Sequence, residues 1–554
     1  MTSAKDFIAS EERILRFWEE SNAFERLQEL RAEAPLFRFV DGPITANNPM
    51  GVHHAWGRSL KDVLLRYKAM RGFRNRYQNG FDCQGLWVEV EVERALGFNG
   101  KADIEAFGLD KFSHACRERV DESAGVITQP SIRLGQWMDW SDSYYTHTDA
   151  NITGIWHFLK QCHERGWLHE DGLPMPWCPR CGTSLSEHEM AGSYSDVEHL
   201  SLFGHVPLRE DPTRHLLAWT TTPWTLAANV ALAVHPELAY VEVAHADWSH
   251  TLVLAKGALA NVFGKQRVEV VRTLSGRDLE GLEYETFLPD LPAQAEVAHR
   301  VVPWKEVDAE EGSGIVHIAP GCGREDYELG QELGLAAIKP VDDSGIYTAE
   351  MGWLADRKAV EVADDVAASL ERAGKLLRAE PYQHSFPHCW RCKGELIFRL
   401  VDEWFISTEG VRPDLIAAAR RVEWKPEFMA ARMEDWLQNM GSWCISRKRY
   451  WGLPLPFYQC GGCEKLTVVG SLPELRERAV DPAVVDGLPE LHRQWIDEVK
   501  TACPECGEAA ERVPEVGDCW LDAGIVPFST LGYFEDREAW KQRYPAEWIC
   551  EMRE

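Results

Sequence analysis

The chain has 554 residues, 45% of them hydrophobic and 27% charged, with a formal net charge of −29. That length exceeds what one hydrophobic core supports and predicts about three domains. The charge excludes a protein that grips nucleic acid over its whole surface. No apolar run approaches the roughly 18 residues of a membrane span. The opening stretch, MTSAKDFIASEERILRFWEE, is acidic and helical in period, unlike a secretory or transit peptide. The expectation is a cytoplasmic protein with no membrane partner.

Residues 1 to about 36 read as helices outside a sheet, with Ile14, Leu15, Phe17 and Trp18 as an apolar cluster. A strand at Phe37–Val40 then enters a loop of Gly, Pro and Asn that ends at Gly51-Val52-His53-His54. A helix follows from about Ala55 to Met70, with Leu60, Val63, Leu64 and Tyr67 on one face. A second strand, Phe73–Asn79, leads through Gly80-Phe81-Asp82 to a helix carrying Glu89, Glu91 and Glu93. Strand, loop, helix and strand make one parallel βαβ unit, whose loop lies where such sheets bind ligands. A helix starting at a histidine-bearing loop offers backbone N–H groups, a positive dipole end and imidazole donors to a phosphate.

Eight of the fifteen cysteines fall in four CxxC pairs: Cys178/Cys181, Cys389/Cys392, Cys460/Cys463 and Cys503/Cys506. Four pairs make two tetrahedral four-cysteine sites, with zinc as the expected metal. Spacing leaves the pairing open, since Cys178 and Cys181 can join any later pair. Cys116, Cys162 and Cys550 read as plain buried thiols.

Between the first two pairs the chain changes character. Short β-rich runs (Leu216–Trp219, Val230–Val234, Tyr240–Val243, Thr251–Leu254) alternate with glycine turns until a helix at Val360–Ala373. This predicts a mostly antiparallel barrel with some helix. Two motifs stand out: Trp219-Thr220-Thr221-Thr222-Pro223-Trp224-Thr225-Leu226, and the run from Gly312 through His317 and Cys322 to Asp326-Tyr327. Threonines suit strands without any further reason. After residue 386 come the basic stretch Trp443-Cys444-Ile445-Ser446-Arg447-Lys448-Arg449-Tyr450-Trp451 and then Asp518-Cys519-Trp520-Leu521-Asp522-Ala523-Gly524. The arginines from Arg412 to Arg449 fit a basic track or a solvated face equally.

Taken together these motifs resemble class I aminoacyl-tRNA synthetases, in the subgroup for branched aliphatic amino acids. The family's His-Ile-Gly-His signature is replaced by Gly51-Val52-His53-His54, which keeps the last histidine as His54, loses the first to Gly51 and adds His53. Lys61-Asp62, Arg66-Tyr67 and Gly80-Phe81-Asp82-Cys83-Gln84-Gly85-Leu86 match its next blocks. The resemblance implies a Rossmann-like α/β catalytic domain in two parts, residues 1–185 and 386–554, interrupted by a β-barrel-rich editing domain at 186–385 and carrying two zinc knuckles. It implies that Cys178/Cys181 join Cys389/Cys392 as a clip across the insertion, and that Cys460/Cys463 join Cys503/Cys506. His54, with the role of His53 open, would touch phosphate. Gly42, Pro43 and Asp82 would hold the amino acid, and Trp520 would pack on its side chain. In the insertion, Thr220, Thr221 and Thr222 would orient ribose and water, His317 lies nearby, and Asp326 would grip a free amine.

The run of three threonines points to the isoleucyl branch rather than the valyl one. The implied reaction joins isoleucine and ATP, with magnesium, to give an adenylate, then charges the cognate tRNA, with hydrolysis of misattached valine and a monomeric enzyme. The family's Lys-Met-Ser-Lys-Ser loop and anticodon-binding domain have no counterpart in the sequence. The resemblance therefore implies the N-terminal portion of such an enzyme, and a non-activating editing or zinc-bearing RNA-binding fragment is the rival reading.

Overall fold

The computed structural model describes residues 6–190 and 192–550. The chain divides into two units: residues up to Glu170 together with those from Trp404 onward, and Asp171–Glu403. It leaves the first unit in the strand Leu168–Cys178 and returns in Ile397–Ile406. Among the described residues no helix is long and apolar enough to cross a membrane.

In the first unit the strands around the N-terminal motifs are paired in parallel. Leu36–Phe37 pairs with Arg74–Asn75, Ile44–Thr45 with Gln78–Asp82, Gln78–Asp82 with Asp139–Tyr145, and Phe39–Asp41 with Trp548–Cys550. Between them runs the helix Val52–Met70, starting three residues earlier than its apolar periodicity suggests because Gly51 supplies the extended cap.

The face of that helix differs from expectation. Leu60, Val63 and Tyr67 are exposed, and the buried side carries Gly57, Arg58, Lys61, Leu65 and Ala69. Ion pairing and hydrogen bonding outweigh hydrophobic periodicity here. The buried Asp41 carboxylate requires a counter-charge, and Lys61 Nζ lies 2.5 Å from its Oδ1. Arg58 donates to Asn79 Oδ1 at 2.9 Å and Gln136 Oε1 at 3.0 Å. The helix consequently shows solvent an apolar stripe of Val52, Trp56, Leu60, Val63 and Tyr67. The N-terminal helix Phe7–Glu20 likewise leaves Ile14 and Phe17 exposed, while Trp18 lies edge-on to Trp137 and under Arg66, and Glu11 pairs with Arg133.

A buried ionic knot joins the two sequence-distant parts of this unit. Arg449 pairs with both Glu89 and Glu93 of the helix Leu86–Leu96, all three fully enclosed. The second Glu89 oxygen accepts the backbone N–H groups of Tyr450 (2.9 Å) and Trp451 (2.6 Å). Both Glu89 oxygens and one Glu93 oxygen thus have donors, and hydrogen bonding of this kind is what lets a buried ion pair be tolerated.

The second unit is built on a nine-stranded sheet whose main path runs Glu269–Ser275, Ala239–Ala244, Thr251–Ala255, Arg214–Thr220, Val316–Ile318, Ala231–Val234 and Arg300–Pro303. The long pair Tyr194–Pro207 and Leu376–Pro387 joins at Arg214–Thr220. Pairing is mixed: Arg214–Thr220 runs parallel to both Thr251–Ala255 and Val316–Ile318, and Ala231–Val234 runs parallel to Arg300–Pro303. The sheet buries a large hydrophobic core that includes Leu216, Leu232, Val241, Val253, Tyr284 and Leu370, and a smaller one with Ala231, Val302 and Ile318.

Removing the charge of Arg449 leaves two carboxylates buried without a counter-charge. Arg449→Met is expected to cost about 3–5 kcal/mol, read as a lower urea midpoint for the unit's unfolding. Glu93→Gln is expected to cost less, because Glu89 keeps the arginine and both backbone donors.

Candidate functional site

Three constellations emerge from these elements. The first lies at the carboxyl ends of the parallel strands in the first unit. Lys61 bridges from Asp41 to the Gly42 carbonyl at 3.1 Å, pinning the loop that leads to Pro43. The other Asp41 oxygen accepts the Gly80 N–H at 2.9 Å, and Tyr144 donates to the Asp41 carbonyl. A side chain on Gly80 would collide with the Tyr144 ring, so the strand ending at Asp82 can approach only as glycine.

Asp82 accepts from the Thr146 hydroxyl at 3.1 Å. Gly85, at φ +93°, carries the chain on in a left-handed conformation, donates to the Trp451 carbonyl at 3.1 Å and leaves only enough room for Cys519. That contact brings the helix Cys519–Gly524, with Trp520 and Asp522, against the Asp82 loop. Arg447 holds the same helix start through Asp518, 2.8 Å away. Trp520 is 47% exposed, so its indole face is open to a ligand. Asp522 is fully buried, and burial, then the nearby Asp82 and Asp518, push its carboxyl well above the aspartate range. Asp522 and Thr146 carry no sequence signal beyond the motif that contains the first of them.

At the start of the Val52–Met70 helix, the Gly51 N–H donates to His54 Nδ1 at 3.0 Å. In the neutral ring that fixes Nε2 as the protonated nitrogen. The His53 and His54 rings lie 3.8 Å apart, centre to centre. A Cβ on Gly51 would stand 2.8 Å from His53 Cε1. The His53 imidazole occupies the space a side chain at position 51 would need.

The second constellation sits at the ends of the two adjacent parallel strands Arg214–Thr220 and Val316–Ile318. Thr220 Oγ1 accepts the Thr222 N–H at 3.1 Å. His317 is enclosed, and burial lowers its pKa to about 4, so the ring is neutral. Asn229 Nδ2 donates to its Nδ1 at 3.0 Å, and Asn229 Oδ1 accepts from the buried Tyr284 hydroxyl at 2.8 Å. Nε2–H therefore faces Thr225 Oγ1 at 2.8 Å, and Thr225 donates onward to the Thr222 carbonyl, also at 2.8 Å. Both nitrogens are committed, so His317 positions the threonine turn and has no lone pair to spare as a base. Thr221 is half-buried and takes no part in this relay.

Asp326, in the first turn of the helix Arg324–Leu333, accepts the Ala319 N–H at 2.9 Å, one residue past the second strand. Burial raises its pKa to about 6. A side chain on Gly323 would collide with this carboxylate. Cys322 is buried and its thiol is pushed up by that burial.

The third constellation is the cysteines. Cys178, Cys181, Cys389 and Cys392 gather in one cluster, and Cys460, Cys463, Cys503 and Cys506 in another, with sulfurs within 4.8 Å of one another. Measured Sγ separations are 3.4 Å for Cys178–Cys392 and Cys460–Cys506 and 3.5 Å for Cys463–Cys503. A tetrahedral Zn–S bond of about 2.3 Å implies about 3.8 Å between sulfurs. All four CxxC loops make one turn. The residue after the second cysteine (Gly182, Lys393, Glu464 or Gly507) has positive φ and returns its N–H to the carbonyl of the first cysteine at 2.7–3.0 Å. Further N–H groups point at sulfur, from Cys181 to Cys178 at 3.3 Å and from Gly394 to Cys392 at 3.4 Å. Donor set, spacing and turn fit a thiophilic metal.

Residues 13–552 match the family model for class I tRNA synthetases (I, L, M and V). The isoleucine–tRNA ligase of Methanothermobacter thermautotrophicus is 39% identical over 544 residues, 98% of this chain and 51% of the relative. That of Methanopyrus kandleri is 39% identical over 565 residues, 98% of this chain and 52% of the relative. That of Clostridium tetani is 37% identical over 557 residues, 99% and 52% respectively. The chain spans about half the length of the curated relatives it matches. With the match covering nearly all of its residues and parallel strands leading into the histidine-bearing helix, this chain belongs to the class I tRNA synthetases.

Proposed function

We propose that this chain carries the amino-acid-activating and editing sites of an isoleucine–tRNA ligase, with residues 1–185 and 386–554 forming the Rossmann-like catalytic part and 186–385 the editing part. The observation that carries this reading is the convergence of the pinned Gly42 loop, Asp82 and Trp520 around one strand end. In it, Asp82 takes the ammonium of isoleucine, Gly42 and Pro43 border the amino acid, and Trp520 covers the aliphatic side chain. Asp522 is buried beside it, and burial together with the neighbouring Asp82 and Asp518 disfavours a second negative charge in the same place.

ATP, brought with magnesium, would present its phosphates to the first turn of the Val52–Met70 helix, where N–H groups and the His54 Nε2–H donate. His53 takes over the place of the signature's missing first histidine, a reading supported by its ring filling the volume above Gly51. Catalysis then rests on geometry and charge stabilisation at the α-phosphate, and the product passes to the tRNA for isoleucine.

A single methylene gives an apolar pocket too little discrimination, for which isoleucine against valine is itself the established case. The second unit supplies the remedy. Asp326 binds the free amine of a misattached valine, and Thr220, Thr221 and Thr222, braced by His317, set ribose and water. Each cysteine cluster holds one structural zinc ion.

Valyl-tRNA is expected to be deacylated faster than isoleucyl-tRNA, with Asp326→Ala slowing the valyl reaction roughly 100-fold. The carboxylate form is the one that binds ammonium, so deacylation rises as pH passes about 6. A carboxyl whose folded pKa is raised stabilises the fold below the ordinary aspartate value and loses that contribution as pH climbs through about 6. Stability should therefore fall over the window in which hydrolysis rises, and Asp326→Asn should flatten both profiles. In isoleucine-dependent ATP–pyrophosphate exchange, His53→Gly should lose activity, and adding Gly51→His to it should restore most of the loss. Metal analysis should find one zinc fewer in Cys460→Ser.

A further inference from the structure

We propose that His205, His215 and His250 form a third metal site, for a divalent transition ion of the zinc–copper class, separate from both cysteine clusters. Their ring nitrogens gather within 4.8 Å of one another. Backbone register puts them on one face of the sheet. His205 lies across from Leu217, two residues along from His215, and His250 immediately precedes Thr251, which lies across from Arg214. Two antiparallel neighbours, Tyr194–Pro207 and Arg214–Thr220, and the residue before the strand Thr251–Ala255 thus deliver one imidazole each.

The ring orientations suit a metal. His215 Nε2 lies 3.1 Å from the Pro212 carbonyl, which can only accept, so Nε2 carries the hydrogen and Nδ1 presents its lone pair inward. An imidazole oriented through its far N–H by a backbone carbonyl is the usual outer support of a metal-bound histidine. His205 Nδ1 faces that lone pair at 2.7 Å and, without an ion, donates its N–H to it; metal binding moves that hydrogen to Nε2 and frees Nδ1. Two imidazoles on one tetrahedral ion have ligand atoms roughly 3.4 Å apart, so a small rotation about each side chain admits the ion. The His250 ring stacks on His215 at 4.1 Å, with Trp248 behind it.

Charge also permits a cation. Lys375 gives its ammonium to the Thr286 carbonyl at 2.7 Å, and the Arg214 guanidinium pairs with Glu242 at 3.0 Å. His205 is buried whereas His215 and His250 are half-buried, which leaves an entry path and room for a water or an exogenous fourth ligand. Three imidazoles with no carboxylate select zinc, copper, nickel or cobalt over magnesium or calcium. The site stands at the opposite end of Arg214–Thr220 from Thr220, five residues or roughly 16 Å away, so it serves the sheet and not the threonine turn.

The test compares the whole chain with His215→Gln and His250→Asn, each loaded with zinc, desalted and analysed for metal. Wild type is expected to hold one equivalent more than either variant, whatever the cysteine sites hold. Cu2+ added to the zinc-loaded wild type should give an electron paramagnetic resonance signal split by imidazole nitrogens, lost in both variants. His250→Asn, at a half-exposed position, keeps the comparison valid if His215→Gln unfolds. Equal metal content in wild type and His250→Asn, or copper without imidazole coupling, overturns the proposal.

Discussion

The Arg449 knot is the constraint on which the first unit depends. An arginine and two glutamates are out of water together, and such a group is tolerated only when every donor and acceptor is met. Glu89 meets this by taking the arginine on one oxygen and two successive backbone N–H groups on the other. The consequence is positional more than energetic. Fixing Tyr450 and Trp451 fixes the carbonyl that receives the Gly85 N–H, and the Trp451 indole donates to the Cys83 carbonyl at 2.8 Å. The loop bearing Asp82 is therefore held from behind by residues more than three hundred positions away in sequence.

In the second unit the same logic operates through neutral groups. Tyr284, Asn229, His317 and Thr225 make a directed chain in which each hydroxyl, amide and ring has one orientation that satisfies its neighbours. Such a chain rigidifies the turn it ends on. It also explains a histidine beside three threonines that is not a base.

Much of the skeleton was legible in the residues alone. The strands at Leu216–Trp219, Val230–Val234, Tyr240–Val243 and Thr251–Leu254 lie within, or a residue from, the observed ones, because β-branched runs between glycine turns have few alternatives. The eight cysteines are identifiable by spacing, which leaves their pairing open; the grouping implied by the family resemblance is the one the structure shows. The helix face at Leu60, Val63 and Tyr67 was misread for a physical reason: periodicity ranks residues by polarity, whereas Arg58 and Lys61 are drawn inward by Asp41, Asn79 and Gln136, whose proximity no local pattern encodes. Asn229, Tyr284 and Asp522 escaped notice for the same reason, since each acquires its character from a partner far along the chain. The three histidines, two on neighbouring strands and one just before a third, are united by register and not by spacing.

The two cysteine clusters share a turn but not an environment. Cys178, Cys181 and Cys389 are buried, whereas Cys463 and Cys506 of the other cluster are exposed. Access to sulfur governs how fast a chelator or an oxidant acts on it. A metal held by the Cys460–Cys506 cluster would therefore be the more labile of the two, and that cluster's sulfurs would be the first of the eight to oxidise.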